Sequence, residues 1–191
     1  YRLVAACVEA DQPLEGQALA YRGGQWQAVN APTGYGAHAY WRVKVLDTDA
    51  YPGRTSVIVD EVFMRTVRGG AQAATGGVAV GSGGSINAAF SNTADVWSGV
   101  LPDAWIGYHF AQPVVLAEVA LRASSNAVIA GVNTPTAFVV QFSDDGQAWF
   151  DAWSVNSVTP AWSPSQVRAF AAAVDGRLDD LADVDLAEAP A

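Results

Sequence analysis

The side chains able to transfer protons or act as nucleophiles are few and scattered along this 191-residue chain. Asp60 and Glu61 are adjacent in a strand-like run, so their carboxyl groups are expected on opposite faces of that strand. Asp144 and Asp145 stand in a turn sequence, and Cys7, the only cysteine, has no evident partner residue. Acid–base and nucleophilic catalysis need a positioned group with an orienting partner. The sequence therefore favours a protein that is not an enzyme.

Two further features with possible chemistry also have plain structural explanations. His38 and His109 are the only histidines, and an isolated pair of this kind does not define a metal site, so His109 is expected to be a partly exposed strand residue. The glycine-rich run at residues 81–85 lacks the lysine of a phosphate-binding loop and the strand-to-helix context of a dinucleotide site.

Aromatic and polar loop residues offer a different chemistry, the binding of a sugar. Carbohydrate recognition needs an aromatic face for the C–H side of the ring, together with fixed donors and acceptors for the hydroxyls. The candidate residues of these types are Tyr51, Arg54, Asn126, Asn133, Trp153 and Trp162. Trp162, in the loop at residues 159–164, is the preferred platform. The alternative is that loop tryptophans cap the core, because large aromatic side chains are usually mostly buried.

The elements that must position these residues are strands. Residues 40–46 alternate with period two, which places Trp41, Val43 and Val45 on one face and Tyr40, Arg42, Lys44 and Leu46 on the other. In residues 114–123 the same pattern predicts Val115, Ala117, Val119 and Leu121 inward, with Glu118 and Arg122 outward.

Further strand candidates are separated by Gly, Pro, Asn and Asp. They are residues 56–65, 77–80, 105–110, 138–142, 149–155 and 167–171, with an N-terminal hairpin around Gly23 and Gly24. No amphipathic helix is predicted before the C-terminal tail. Many short strands without helices indicate an all-β, antiparallel sandwich or barrel.

Charge and hydropathy restrict the partners of the chain. The net charge is −9, and the segment from residue 175 to 191 has six acids against one base. No basic stripe is present to neutralise phosphates, so nucleic acid and anionic membranes are not expected partners. The apolar runs have the length of strands, so none is predicted to span a bilayer.

Three stretches resemble recurring phrases of the discoidin family, also called coagulation factor 5/8 type C and galactose-binding-like domains. They are AAFSNTADVW at residues 88–97, AWIGYHF at 104–110 and QFSDDGQAW at 141–149, in the family's order. In the last, Asp144, Asp145 and Gly146 predict a tight hairpin turn in which glycine takes a positive φ. Trp149 is then expected to fold back onto the sandwich, as a core residue rather than a ligand platform.

The resemblance implies a jelly-roll β-sandwich in a permuted order. Residues 40–47 and 57–65 resemble the family's last strands, yet here they precede the others, which implies a circular permutation. The predicted organisation is a connecting segment with a hairpin at residues 1–37, a discoidin-like sandwich at 38–173 and an acidic linker at 174–191. The family often presents its ligand-binding residues on loops at one end of the sandwich, where the scaffold constrains them least.

The resemblance also implies a structural calcium ion as the one expected cofactor. Family members often bind it through backbone carbonyls, an aspartate, a hydroxyl and a late glutamate, all hard oxygen ligands. The matching positions are Phe90, Ser91, Asn92, Thr93 and Asp95, with Glu61 as the late glutamate. Ser91 replaces the family's usual aspartate; the alternative is a loop held by hydrogen bonds.

The two ends of the chain resemble parts of phage fibre and spike proteins. LDDLADVD at residues 178–185, followed by Pro190, is similar to a linker in such proteins. PLEGQALAY at residues 13–21, with Trp26, is similar to the phrase that follows that linker. The ends thus look like halves of one connecting module, which implies a phage-like or gene-transfer particle as the carrier.

The function implied by these resemblances is carbohydrate binding without catalysis. The expected protein is a module of a tail fibre or head spike, on the surface of a phage-like particle, that attaches to host surface or capsular polysaccharide. Other virion proteins and further copies of the chain are the other expected partners. One alternative is a structural domain that joins parts of the particle through an exposed apolar patch. Another is a polysaccharide-degrading enzyme, which needs two carboxylates about 5–10 Å apart across a groove.

Overall fold

The structure is a computed structural model that describes residues 35–48, 55–91, 95–159 and 161–171, together with the backbone of two earlier strands. Those strands, β1 (Gln17–Arg22) and β2 (Gln25–Asn30), pair antiparallel with Gln17 opposite Asn30. This pairing confirms the predicted N-terminal hairpin. Cys7 and the predicted acidic linker lie outside the described residues.

A second compact unit, Ala37–Ala172, contains the remaining elements. Its strands are β3 (His38–Thr48), β4 (Ser56–Val59), β5 (Glu61–Arg65), β6 (Val78–Gly81), β7 (Trp97–Val100), β8 (Trp105–Val114), β9 (Glu118–Arg122), β10 (Pro135–Ser143), β11 (Phe150–Val155) and β12 (Val167–Ala171). A 3₁₀ turn (Ile86–Phe90) and the short helix α1 (Ala127–Asn133) complete the unit. The predicted domain boundaries stay predictions, because residues 172–191 are not described.

The strands of this unit form an antiparallel β-sandwich. In the described residues, one sheet has the order β11-β10-β3-β8-β6, a second has β12-β9-β5, and β4 pairs with β7. Phe138 of the first sheet meets Phe170 of the second edge-on, with ring centroids 5.0 Å apart. The all-β sandwich class is therefore confirmed. The jelly-roll arrangement and the circular permutation remain predictions.

The core follows from the alternation along β3. Trp41, Val43 and Val45 are at most 1% exposed, whereas Leu46 on the opposite face is 49% exposed. Cross-strand partners extend the inner face, since Trp41 lies between Tyr108 of β8 and Phe142 of β10. One buried layer thus begins with every second residue of β3 and continues across the sheet.

The predicted strand at residues 114–123 is wrong in its first half. β8 ends at Val114 and β9 begins at Glu118. Because the pleat is interrupted between them, Val115 is 46% exposed and Leu116 is buried instead. Glu118, predicted outward, is also buried, and its carboxylate accepts a hydrogen bond from Arg65 at 2.5 Å.

Two other predictions need correction. The predicted strand at residues 56–65 is divided at Asp60, where the chain leaves the β4–β7 pair and joins the β5–β9 ladder. Asn126 and Asn133 were predicted as loop residues, but Asn133 ends helix α1 and Asn126 caps it by accepting from the Val128 amide at 3.0 Å. In the described residues, no helix has the length and apolar character to cross a membrane.

Candidate functional site

The preferred sugar platform of the sequence, Trp162, is an internal side chain. It is 5% exposed, and its Nε1 donates to the Pro135 carbonyl at 2.8 Å. Phe170 meets its ring edge-on, and the Arg168 guanidinium lies 4.7 Å from the ring centroid. With the ring enclosed in this way, the structure agrees with the alternative explanation, in which Trp162 caps the core.

The other predicted sugar contacts that the structure describes are also engaged in the scaffold. Trp153 is 9% exposed, with its ring 6.3 Å from that of Trp41. Asn133 is 5% exposed and donates to the Ser56 carbonyl at 2.9 Å, while Asn126 caps helix α1. Tyr51 and Arg54 lie outside the described residues, so their predicted role stays a prediction.

Some of the predicted calcium ligands that the structure describes already have partners within the protein. Glu61 is 2% exposed, and its Oε2 lies 3.3 Å from Arg122 Nη2 in a salt bridge. The Phe90 ring lies against Tyr108, and the Ser91 hydroxyl donates to the Ala88 carbonyl. Asp95 is exposed, and Asn92 and Thr93 are outside the described residues.

Within the described residues, no group of three or more His, Cys, Asp and Glu side chains is positioned to hold a metal. An acid already paired with arginine fits an ion-pair role better than calcium ligation. The calcium ion stays a prediction.

A different group of side chains comes together on the outer surface of the five-stranded sheet. We call this surface the aromatic face. It comprises Tyr40, Arg42, Lys44, Trp105, His109, Gln141, Trp149 and Asp151. Tyr40, Arg42 and Lys44 alternate with the buried residues of β3, and their cross-strand partners place the other members beside them. The four aromatic rings of the face are partly exposed.

Arg42 is the centre of the aromatic face. Its guanidinium carbon lies 3.9 Å from the ring centroid of Trp149 and 5.0 Å from that of Trp105. The two ring centroids are 5.9 Å apart, so the cation lies over both indoles where they meet. Its Nε donates to Gln141 Oε1 at 2.7 Å, and Gln141 Nε2 donates to Asp151 Oδ1 at 2.6 Å. This chain of hydrogen bonds restricts the orientation of the guanidinium against the two rings.

The electrostatics of Arg42 reflect this enclosure. Burial lowers the pKa of Arg42 from its ordinary value, and the charge of Asp151 acts in the opposite direction. Arginine titrates so far above neutral pH that the group stays charged. The face therefore retains a permanent cation between its two tryptophans.

Gly107 provides the space for this arrangement. It lies opposite Arg42 in the β3–β8 register, between Trp105 and His109 in sequence. A Cβ at this position would lie 2.4 Å from the Trp41 carbonyl oxygen and 2.7 Å from Arg42 Cβ. Only glycine lets β8 pass this close beneath Arg42.

Tyr40 and His109 form the second aromatic pair of the face. Their rings are stacked, with centroids 4.1 Å apart and 5° between planes. His109 is partly exposed, as predicted. The other histidine, His38, lies 3.0 Å from the Asp144 carboxylate. Neither histidine belongs to a metal cluster among the described residues.

Trp149 reaches the aromatic face through the turn at residues 144–148. Asp145 Oδ1 accepts from the amides of Gln147 and Ala148 at 2.8 and 2.9 Å. Gly146 has a φ of +72°, and a Cβ there would lie 3.2 Å from the Tyr40 ring. The predicted tight turn is confirmed. Trp149 was predicted as a core residue, but its indole lies over Arg42 on the outer face.

The charge of Asp145 is expected to stabilise this turn. The pKa of Asp145 lies below its ordinary value of 3.8 because the Gln147 amide, then the Ala148 amide and the Ser143 hydroxyl, hydrogen-bond to the carboxylate. A depressed folded-state pKa means that the stabilisation is present above 3.8 and is lost as the pH falls through the folded-state value.

Asp145→Asn is therefore expected to lower the melting temperature by a few degrees near neutral pH. The melting curves of variant and wild type should converge in acid, because both side chains are then neutral. Thermal unfolding at a series of pH values measures this, and a difference that stays constant into acid would contradict the electrostatic explanation.

The sequence contains part of the signal for the aromatic face. The alternation of β3 placed Tyr40, Arg42 and Lys44 outward, but nothing local indicates that Trp105 and Trp149 meet at Arg42. Comparison of the chain with protein-family models, curated proteins and solved structures found no match.

Proposed function

We propose that the sandwich is a carbohydrate-binding module without catalytic activity, and that it holds saccharide on the aromatic face. The observation that carries this proposal is the pair of partly exposed indoles, Trp105 and Trp149, which lie against each other and against Arg42. Indole faces accept the C–H side of a sugar ring, and nearby fixed donors orient its hydroxyls. Both requirements are met on one sheet surface.

The position of the rings supports this function over a purely structural one. Tryptophan that serves only the core is enclosed, as Trp41 and Trp97 are at 0% exposure. Trp105, Trp149 and Tyr40 remain partly exposed although each lies against other rings. Rigid aromatic side chains held in place before a ligand arrives lose little conformational freedom on binding.

The proposed site differs from the loop site expected from the sequence. Trp162, Trp153 and Asn133 hold the scaffold together, so replacing them tests folding as much as binding. The aromatic face separates the two effects, because its rings lie on the outer side of the sheet.

We further propose that the module is carried on a tail fibre or head spike of a phage-like particle and attaches to host surface or capsular polysaccharide. The support is the resemblance of residues 13–21 and 178–185 to connecting segments of such proteins. Weak single sites suit this setting, since several copies on one particle bind a repeating polymer with high avidity.

The test is binding of the purified chain to immobilised polysaccharides and to cells. Trp149→Ala and Trp105→Ala are each expected to weaken saccharide binding about tenfold or more, the equivalent of one lost stacking contact. Phe150→Ala is the matched control, because this ring is 59% exposed but is stacked on Phe142 rather than on Arg42. Circular dichroism and thermal unfolding confirm that each variant folds.

Each outcome of this test is decisive. Loss of binding in the two tryptophan variants, with the Phe150→Ala variant unaffected, supports the aromatic face as the site. Binding that survives both tryptophan substitutions rejects this face. A wild-type chain that binds no polysaccharide and no cell rejects the function, and a role in joining parts of the particle then becomes the better explanation.

A further inference from the structure

The hydrogen-bonding groups left open on the aromatic face are mainly donors. Arg42 uses Nε for Gln141, and its two terminal nitrogens have no hydrogen-bond partner among the described residues. Within the same part of the chain, the Lys44 ammonium group also has none. The Tyr40 hydroxyl and the His109 ring nitrogens have no hydrogen bonds there either. A ligand that brings acceptors therefore finds several donors on this face.

Two acceptors of the face already hold hydrogen bonds within the protein. Gln141 Oε1 accepts from Arg42, and Asp151 Oδ1 accepts from Gln141 Nε2. Asp151 is the only carboxylate among the members of the face, whereas Arg42 and Lys44 are both cations. The face is thus locally cationic in a chain whose net charge is −9.

Two other cations of the domain form salt bridges with carboxylates. Arg65 forms a salt bridge with Glu118 at 2.5 Å, and Arg122 forms one with Glu61 at 3.3 Å. Arg42 instead hydrogen-bonds directly to an uncharged glutamine, and the Asp151 carboxylate lies one hydrogen bond further away. Lys44 is the only lysine of the whole chain, and it lies directly opposite Trp105 in the β3–β8 register.

We infer that the ligand of the aromatic face is an acidic polysaccharide whose carboxylate is bound by Lys44 and the terminal nitrogens of Arg42. The inference rests on the proposed function and adds the class of saccharide. Directly opposed residues of an antiparallel pair have Cβ atoms about 5 Å apart, so one sugar residue spans the ring of Trp105 and the ammonium group of Lys44. Charge-assisted hydrogen bonds then select a uronate over its neutral counterpart.

The experiment compares acidic polymers with neutral ones on the same chain. Polygalacturonate, alginate and hyaluronan are immobilised beside methyl-esterified polygalacturonate, galactan, mannan and dextran. The wild type is expected to be retained by acidic polymers and released by salt, because added ions screen exposed charges. Esterification removes the carboxylate charge and keeps the sugar, so the ester is expected to retain the protein about tenfold less well.

Variants of Lys44 test whether this residue causes the preference for acidic polymers. Lys44→Gln is expected to weaken binding of the acidic polymer about tenfold, and Lys44→Arg should keep most of it. Arg68→Gln is the matched control, since it removes an exposed cation from the loop after β5, away from the aromatic face. Carbodiimide coupling gives a direct readout: oligogalacturonate should be joined by an amide bond to the peptide that contains Lys44.

The outcomes separate this inference from the function it rests on. Equal retention by the acid and its ester, or unchanged binding in the Lys44→Gln variant, overturns the inference. Retention by neutral polymers alone, lost in the Trp149→Ala variant, overturns it and leaves the carbohydrate-binding function standing. Retention by no polymer overturns both.

Discussion

Replacing Trp41 with alanine is expected to lower the free energy of unfolding of the sandwich by about 3–5 kcal/mol, the usual cost of emptying a buried aromatic site. Trp41 is fully buried, and its Nε1 donates to the Val114 carbonyl at 3.0 Å. Its ring contacts those of Phe142 and Trp153, so the substitution removes contacts on several strands at once. Since domains are stable by only about 5–15 kcal/mol, this one change approaches global unfolding.

Chemical denaturation followed by circular dichroism measures this effect. Leu46→Ala, on the exposed side of the same strand, is the matched control and is expected to cost less than about 1 kcal/mol. Trp41→Phe keeps much of the volume and gives a measurable value if the alanine variant does not fold. Similar losses for the Trp41→Ala and Leu46→Ala variants would contradict the assignment of the inner face.

Glu61→Ala is expected to lower the free energy of unfolding by about 2–3 kcal/mol, because it removes a buried carboxylate that pairs with the charge of Arg122. Glu61 is 2% exposed, and the Arg122 side chain is 23% exposed. The residues are direct cross-strand partners in β5 and β9. Partial exposure of Arg122 places the effect below that of a fully enclosed pair.

The double variant Glu61→Met/Arg122→Met tests whether the lost ion pair, and not the loss of a buried side chain, causes the destabilisation. It is expected to recover most of the lost stability, since two apolar side chains replace two charges that had to be desolvated. Chemical denaturation of the single and double variants completes the cycle. If the double variant is no more stable than Glu61→Ala, the ion pair is not the source of the loss.

The same residue tests the predicted calcium site. If Glu61 serves only the ion pair with Arg122, the wild-type melting temperature is expected to be equal in calcium and in EDTA. A rise with calcium that disappears in the Glu61→Ala variant would instead establish Glu61 as a calcium ligand.

The fold class was accessible from the sequence because sheet alternation is a local property. The side chains of β3 point to opposite faces in turn, so Trp41, Val43 and Val45 were correctly placed inside. The turn at Gly146 was predicted for a similar reason, since its positive φ is a cost that glycine avoids. Both conclusions need only residues close together in the chain.

The failures occurred where the pattern ends or changes sheet. At Asp60 the alternating run continues while the chain passes from β4 to β5. The hydropathy pattern does not reveal that the strand partner changes there from β7 to β9. β7 went unpredicted within a phrase interpreted as a family motif, although Trp97 is fully buried. Helix α1 spans only seven residues, too short for a helical period to stand out.

Burial of the tryptophans was decided by tertiary structure alone. Trp162 stands among Pro, Ser and Thr and has the local context of an exposed loop, yet Phe170 and Pro135 enclose it. Trp149 directly follows the turn at residues 144–148 and was expected inside, yet its ring lies against Arg42 on the outer face. The burial of a large ring depends on which distant strands pass beside it. The few residues on either side of the ring do not reveal those strands.

The sequence by itself determined most of the strands, the inward and outward faces of β3 and the turn that precedes Trp149. These depend on the two-residue period of extended backbone and on the conformational freedom of glycine, both of which act locally. Only the tertiary structure brought Trp105, Gln141 and Trp149 to Arg42, because the strand order β11-β10-β3-β8-β6 makes neighbours of residues that are 63 to 107 positions apart in the chain. That order is set by how the two sheets together bury their inner faces, a global balance that no local pattern contains.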